Sequence, residues 1–167
     1  MSKRQVQIGI FPEFKKVVRS VLIRKVAVTT LDAGMSARGY GVSIVIADDE
    51  TLRILNRDHR GLNNVTDVLA FEGIGPGSGN GGAVRVSSMN TPNFPQTPDQ
   101  PKVLGEVIIS YPQAERQAVE RAWGVERETA LLVAHGILHL LGYDHEEDEE
   151  AQVMEELEAK ILDGIFL

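Results

Sequence analysis

The sequence predicts an α+β fold: a small mixed β-sheet packed against helices, with a central buried helix carrying a His-x-x-x-His pair. Three observations lead there. Short segments rich in β-branched residues alternate with longer amphipathic segments, in the order β-α-β-α-β-β-α-α-α. The stretches Ala130 to Ala134 and Ile137 to Leu141 are apolar nearly all round, as in a helix enclosed by other elements. The chain has 167 residues and 43% hydrophobic content, enough for one core.

The elements follow in chain order. Gln5 to Ile10 alternates polar and apolar residues, which predicts a short strand. Phe11 to Leu31 reads as a helix: Pro12 suits its first turn, and Phe14, Val17, Val18, Val21, Leu22 and Val26 recur at helical spacing. The β-branched run Val26 to Thr30 is expected to weaken its last turns. Gly41 to Ala47 predicts a strand. Asp48 or Asp49 caps a short helix reaching Arg57, which buries Leu52 and Leu55. Asp67 to Glu72 is another strand.

Gly73 to Pro101 holds six glycines and five of the seven prolines, and no periodicity survives in it. It is expected to be a long flexible loop (73–101). Leu104 to Ser110 is a strand, Pro112 to Trp123 a helix ended by Gly124, and Glu126 to Leu141 a second helix. Glu146 to Ile161 is a third, with Val153, Met154, Leu157 and Ile161 forming its apolar stripe. No repeat and no second domain is visible, so residues 1–167 read as a single domain.

Composition narrows the function classes. The absence of cysteine excludes disulfides and thiolate metal sites. No apolar run reaches the about 20 residues that span a bilayer, and Met1 to Ile10 lacks the apolar core of a signal peptide. A cytoplasmic protein without membrane contact, monomeric by default, is the expectation. The net charge of −7 argues against a generic nucleic-acid binder. Yet Asp144 to Leu167 carries ten acids against Lys160 alone, which leaves residues 1–143 with 16 bases and 14 acids. The acidity is therefore local, and a basic groove elsewhere stays compatible with the composition.

Three of the four histidines fall within His135-Gly-Ile-Leu-His139-Leu-Leu-Gly142-Tyr-Asp-His145. His135 and His139 are one helical turn apart, so their rings project from one face. Gly142 suits the left-handed residue that ends a helix. His145 then lies just past the turn, from which it can fold back. The spacing supplies three nitrogens for one ion, and the buried setting favours neutral, metal-binding imidazoles over unpartnered ones. Three protein nitrogens leave tetrahedral zinc one open position, as in catalytic sites. Ordinary hydrogen-bonded core histidines are the competing reading; the ligand count and spacing favour the metal. The pattern resembles that of metzincin proteases, but Gly136 stands where those enzymes carry their glutamate base, which counts against a peptidase.

The same segment, followed by the acidic helix EEDEEAQVMEELE, resembles the signature of the YbeY family of bacterial metal-dependent endoribonucleases. Leu55-Asn56-Arg57 with His59-Arg60-Gly61, Thr66 to Phe71, and Leu104 to Ser110 resemble three further family segments in family order. The chain departs from the pattern at His59, where an aromatic is usual, at Glu106, where aspartate is usual, and in the length of 73–101. The resemblance implies one zinc ion on His135, His139 and His145. It implies cleavage of single-stranded RNA, maturation of ribosomal RNA at the 3′ end of the small-subunit RNA, ribosome quality control with ribosomal partners, and a functional role for Arg60.

Without the resemblance Arg60 reads as a solvated surface arginine. Asp144 is either an orienting partner of a ligand histidine or a turn residue. Tyr143 reads as turn packing; Glu106 reads either as a residue near the metal or as a solvent-facing strand residue, and the second is favoured. Two other functions compete: a zinc hydrolase of another substrate class, and a ribosome-associated factor whose metal is structural.

Overall fold

The computed structural model describes residues 5–34, 40–73, 84–85, 102–144 and 146–166. Strands β1 (Val6–Ile10), β2 (Tyr40–Ala47), β3 (Val68–Glu72), β4 (Val84–Arg85) and β5 (Lys102–Ser110) form one sheet in the order β1-β2-β5-β3-β4. The sheet is mixed: β1, β2 and β5 run parallel, and β3 is antiparallel to β5. Five helices pack against it: α1 (Ser20–Ala33), α2 (Asp49–Arg60), α3 (Tyr111–Arg121), α4 (Val125–Leu140) and α5 (Asp148–Phe166). This is the α+β class that the sequence predicts.

Side-chain alternation divides the sheet into two faces. Val42, Ile44 and Ile46 of β2, Val107 and Ile109 of β5, and Ala70 of β3 meet residues of α1, α4 and α5 in the main core. The opposite face carries a smaller cluster, in which Leu69, Phe71 and Ile108 meet Leu52 of α2. Helix α4 lies at the centre. It packs on α1, α3, α5, β3 and β5, and eleven of its residues are buried. Such a helix has no solvent face to stripe, which is why its sequence is apolar all round.

Several boundaries differ from expectation for identifiable reasons. The helix expected over Phe11 to Leu31 is split into a 3-10 turn at Pro12–Phe14 and α1. Phe14 turns in against the ring of Tyr111, with centroids 5.1 Å apart. Val17 and Val21, which supported the longer helix, are 54% and 75% exposed, so their spacing carries no burial signal. The β-branched run does not weaken α1. Val26, Ala27, Thr30 and Leu31 are all buried, and tertiary packing overrides local propensity.

Helix α3 stops earlier than expected. Its left-handed terminal residue is Ala122, at φ 56°, while Gly124 instead begins α4. The turn is closed by backbone bonds, the Trp123 amide donating to the Ala118 carbonyl at 3.1 Å, and the guanidinium groups of Arg121 and Arg127 stand 5.3 and 4.9 Å from the Trp123 ring centre. Helix α2 behaves as its caps dictate. Asp48 Oδ1 accepts from the Thr51 amide at 2.9 Å, and Gly61 closes the helix at φ 72°, three residues later than expected. Within the expected loop 73–101, Val84–Arg85 pairs with β3 as a two-residue strand, too short to show periodicity. The rest of that loop beyond Gly73 lies outside the described residues.

Gly136 sets how closely α4 approaches the sheet. A Cβ placed there would stand 2.6 Å from Val107 Cγ1 and 3.0 Å from its Cγ2. Overpacking of this kind costs about 1–3 kcal/mol, while alanine in a helix regains up to about 1 kcal/mol. Gly136→Ala should therefore destabilise the protein by about 1–2 kcal/mol in urea unfolding. A Val107→Ala partner should relieve most of that cost in a double-mutant cycle; additive losses would show that the two residues do not clash.

Candidate functional site

The chemistry-bearing face of α4 includes Gly136, which lines the same cleft as the two histidines. His135 and His139 project from it one turn apart, and their rings meet edge to face with centroids 4.5 Å apart. Their Nε2 atoms are 2.9 Å apart. Two imidazole nitrogens at that distance either share one proton or face a cation together. On a tetrahedral zinc ion with bonds of about 2.0–2.1 Å, two nitrogens stand roughly 3.3 Å apart. The pair therefore fits such an ion after a shift of a few tenths of an ångström. His139 is 9% exposed and His135 is half-buried, so the pair is open on one side only.

The chain turns sharply after the pair. Gly142 adopts φ 97°. Its amide bonds the His139 carbonyl at 3.0 Å, and the Tyr143 amide bonds the Leu138 carbonyl at 3.0 Å. These are the two bonds of a Schellman motif, which only a left-handed residue such as glycine forms without strain. Asp144 follows on the wall of the cleft. His145, the third expected ligand, lies outside the described residues. Among the described residues no group of three His, Asp or Glu forms a metal-ligand cluster.

The imidazole pair opens into a cleft of about 320 Å³. Its walls come from Arg60 at the end of α2, Thr66 to Ala70 leading into β3, and Asp144 with Glu146 beyond the turn. Arg60, exposed, stands on the same cleft as both histidines. Arg57 is engaged locally, its Nε 3.0 Å from Asp58 Oδ1. His59 packs edge-on against Phe71 at 5.2 Å, so it does the work of an aromatic there.

Two features of the site escape sequence reasoning. The first is Glu158 on α5, whose Oε1 lies 2.6 Å from His135 Nδ1. Its signal was present: an acid beside Leu157, four residues after Met154, on the stripe that α5 buries. Val153, expected on that stripe, is instead 53% exposed. The second is a polar chain behind the cleft wall. Gln117 Nε2 donates to Asp67 Oδ2 at 3.2 Å and to the fully buried Glu128 at 2.8 Å. Glu128 also accepts from Trp123 Nε1 at 2.8 Å. Nothing in linear spacing foretells that contact, because it joins three elements.

Comparison with known proteins adds the following. A family model described as Endoribonuclease YbeY matches residues 2–165. A protein named Endoribonuclease YbeY from Dehalococcoides mccartyi is 41% identical over 150 residues, covering 90% of this chain and 83% of its own. A relative with the same name from Desulforamulus reducens is 35% identical over 165 residues, covering 96% and 92%. A solution structure of a Thermotoga maritima protein superposes with a TM-score of 0.57 at 23% identity, covering 97% of this chain and 89% of that one. The last is a likeness of fold.

Glu106 does not face solvent as expected. It pairs with Phe71 across β5 and β3, on the sheet face opposite α4, and is half-buried. Burial raises its pKa above the ordinary carboxylate value of 4.5. The native state then holds this proton more tightly than the unfolded chain, so stability falls as pH rises from 4.5 through the raised value. Glu106→Gln should consequently stabilise the protein at pH 7 in thermal melts. The gain should shrink once the pH drops below 4.5. A variant less stable than wild type at pH 7 would mean that the carboxylate is held by a partner instead.

Proposed function

The chain belongs to the YbeY endoribonuclease family, and from that premise we propose a zinc-dependent endoribonuclease that hydrolyses phosphodiester bonds in single-stranded RNA. Its proposed task is maturation of ribosomal RNA at the 3′ end of the small-subunit RNA, together with ribosome quality control. The observation that carries this reading is the convergence of His135 and His139 Nε2, 2.9 Å apart, in a cleft that Arg60 also lines.

In this reading His135, His139 and His145 hold one zinc ion. Zinc bound there supplies Lewis acidity toward a phosphoryl oxygen and lowers the pKa of a water to about 7. The protein supplies the rest. Arg60 offers a planar fork that matches two phosphate oxygens and stabilises charge developing on phosphorus. The walls from Thr66 to Ala70 hold the strand against the imidazole pair. Acidic residues Glu146 to Glu150 repel the RNA backbone from the α5 side, so the strand enters across the end of α2. Residues 1–167 act as one domain. The proposed setting is the cytoplasm, with ribosomal components as partners and the protein as a monomer. Among the described residues no helix is long and apolar enough to cross a membrane.

A peptide-hydrolysing alternative gains nothing from the geometry. The position that would carry the glutamate base is Gly136, which has no side chain and lies close against Val107, so it supplies no base.

Metal-loaded protein should cut single-stranded RNA, spare double-stranded RNA and casein, and lose activity to a chelator. Arg60→Glu should lower cleavage by about 10²–10³-fold or more with zinc content and melting temperature unchanged. Loss of zinc or of folding in that variant would remove Arg60 from the reaction. Cleavage of casein would replace the nuclease reading altogether.

A further inference from the structure

We propose that Glu158 is a positioning residue: its buried carboxylate takes the Nδ1–H of His135 and so fixes the ring with a bare Nε2 facing the cleft. The proposal rests on the reading above for the use made of that nitrogen. The orientation of the ring stands on its own geometry.

The contact is short, with Glu158 Oε1 2.6 Å from His135 Nδ1. It joins different elements, since Glu158 is on α5 and His135 on α4. Only 9% of Glu158 is exposed, and among the described residues no lysine or arginine lies within ion-pair distance of it. Burying a carboxylate without compensation is costly, so a partner is required, and the imidazole is that partner.

The chemistry then follows from donor and acceptor rules. A carboxylate accepts and does not donate. The shared proton therefore sits on Nδ1, and in a neutral imidazole the other nitrogen carries the lone pair. That other nitrogen is the one 2.9 Å from His139 Nε2. Rotation of the ring about its Cβ–Cγ bond would break the Glu158 contact, so the lone pair is aimed. Partners of this kind orient metal-binding histidines and raise their basicity, and their loss typically costs about 10–100-fold in metal affinity.

The test combines ring nitrogen shifts of metal-free protein with zinc affinity from chelator competition. In wild type near neutral pH, His135 should show a protonated Nδ1 and a bare Nε2. A proton found on Nε2 instead overturns the proposal without recourse to any variant. Glu158→Met keeps the packing volume and removes the acceptor; it should mix the tautomers of His135 and weaken zinc binding by about 10–100-fold. Glu158→Gln, whose amide oxygen can accept the same hydrogen, should keep the tautomer and lose less affinity. A folded Glu158→Met protein with wild-type shifts and wild-type zinc affinity also overturns it. If wild type binds no zinc, the metal reading of the preceding section falls, while the nitrogen shifts still decide the role of Glu158.

Discussion

The site depends on how closely one helix can lie on the sheet. Helix α4 runs through the middle of the molecule, and Gly136 lets its backbone settle onto Val107. A side chain there would push α4 outward, and both imidazoles would travel with it. Adjacent residues thus have different tasks. Gly136 gives up its side chain so that the helix can reach Val107, and it lines the cleft floor, while His135 sends its ring into the cleft.

Much of this was legible in the sequence. The i,i+4 histidine pair, the all-apolar helix around it and the helix-ending glycine are local signals, and each is set by backbone geometry within a few residues. The strands were legible for a similar reason: residues such as Val42, Ile44 and Ile46 repeat with a period of two because one face is buried. The failures share the opposite character. Val17 and Val21 imitate a buried stripe yet lie exposed, since only tertiary packing decides which apolar residue is covered. Ala122 takes a left-handed conformation where a neighbouring glycine was the natural candidate, and the Trp123 amide closes the turn onto the Ala118 carbonyl. Glu158 and Gln117 act across elements and leave no periodic trace.

Charge is arranged as deliberately as shape. The C-terminal helix concentrates acid on its outer surface and turns one carboxylate inward to the histidine. Across the cleft stands Arg60, in the last turn of α2, where a cation is favoured by the C-terminal dipole of the helix. A polyanion approaching this molecule meets a field with a direction, although the net charge of the chain is negative.

One carboxamide has a consequence beyond its own bonds. Gln117 holds Asp67, at the cleft wall, and Glu128, at the base of α4, through a single nitrogen. Two like charges are thereby kept apart on a neutral tether, and the wall cannot drift from the helix that carries the histidines. The width of the opening is thus settled when the protein folds, before anything enters it. A guest finds the distances already set, and little of its binding energy goes into assembling the receptor.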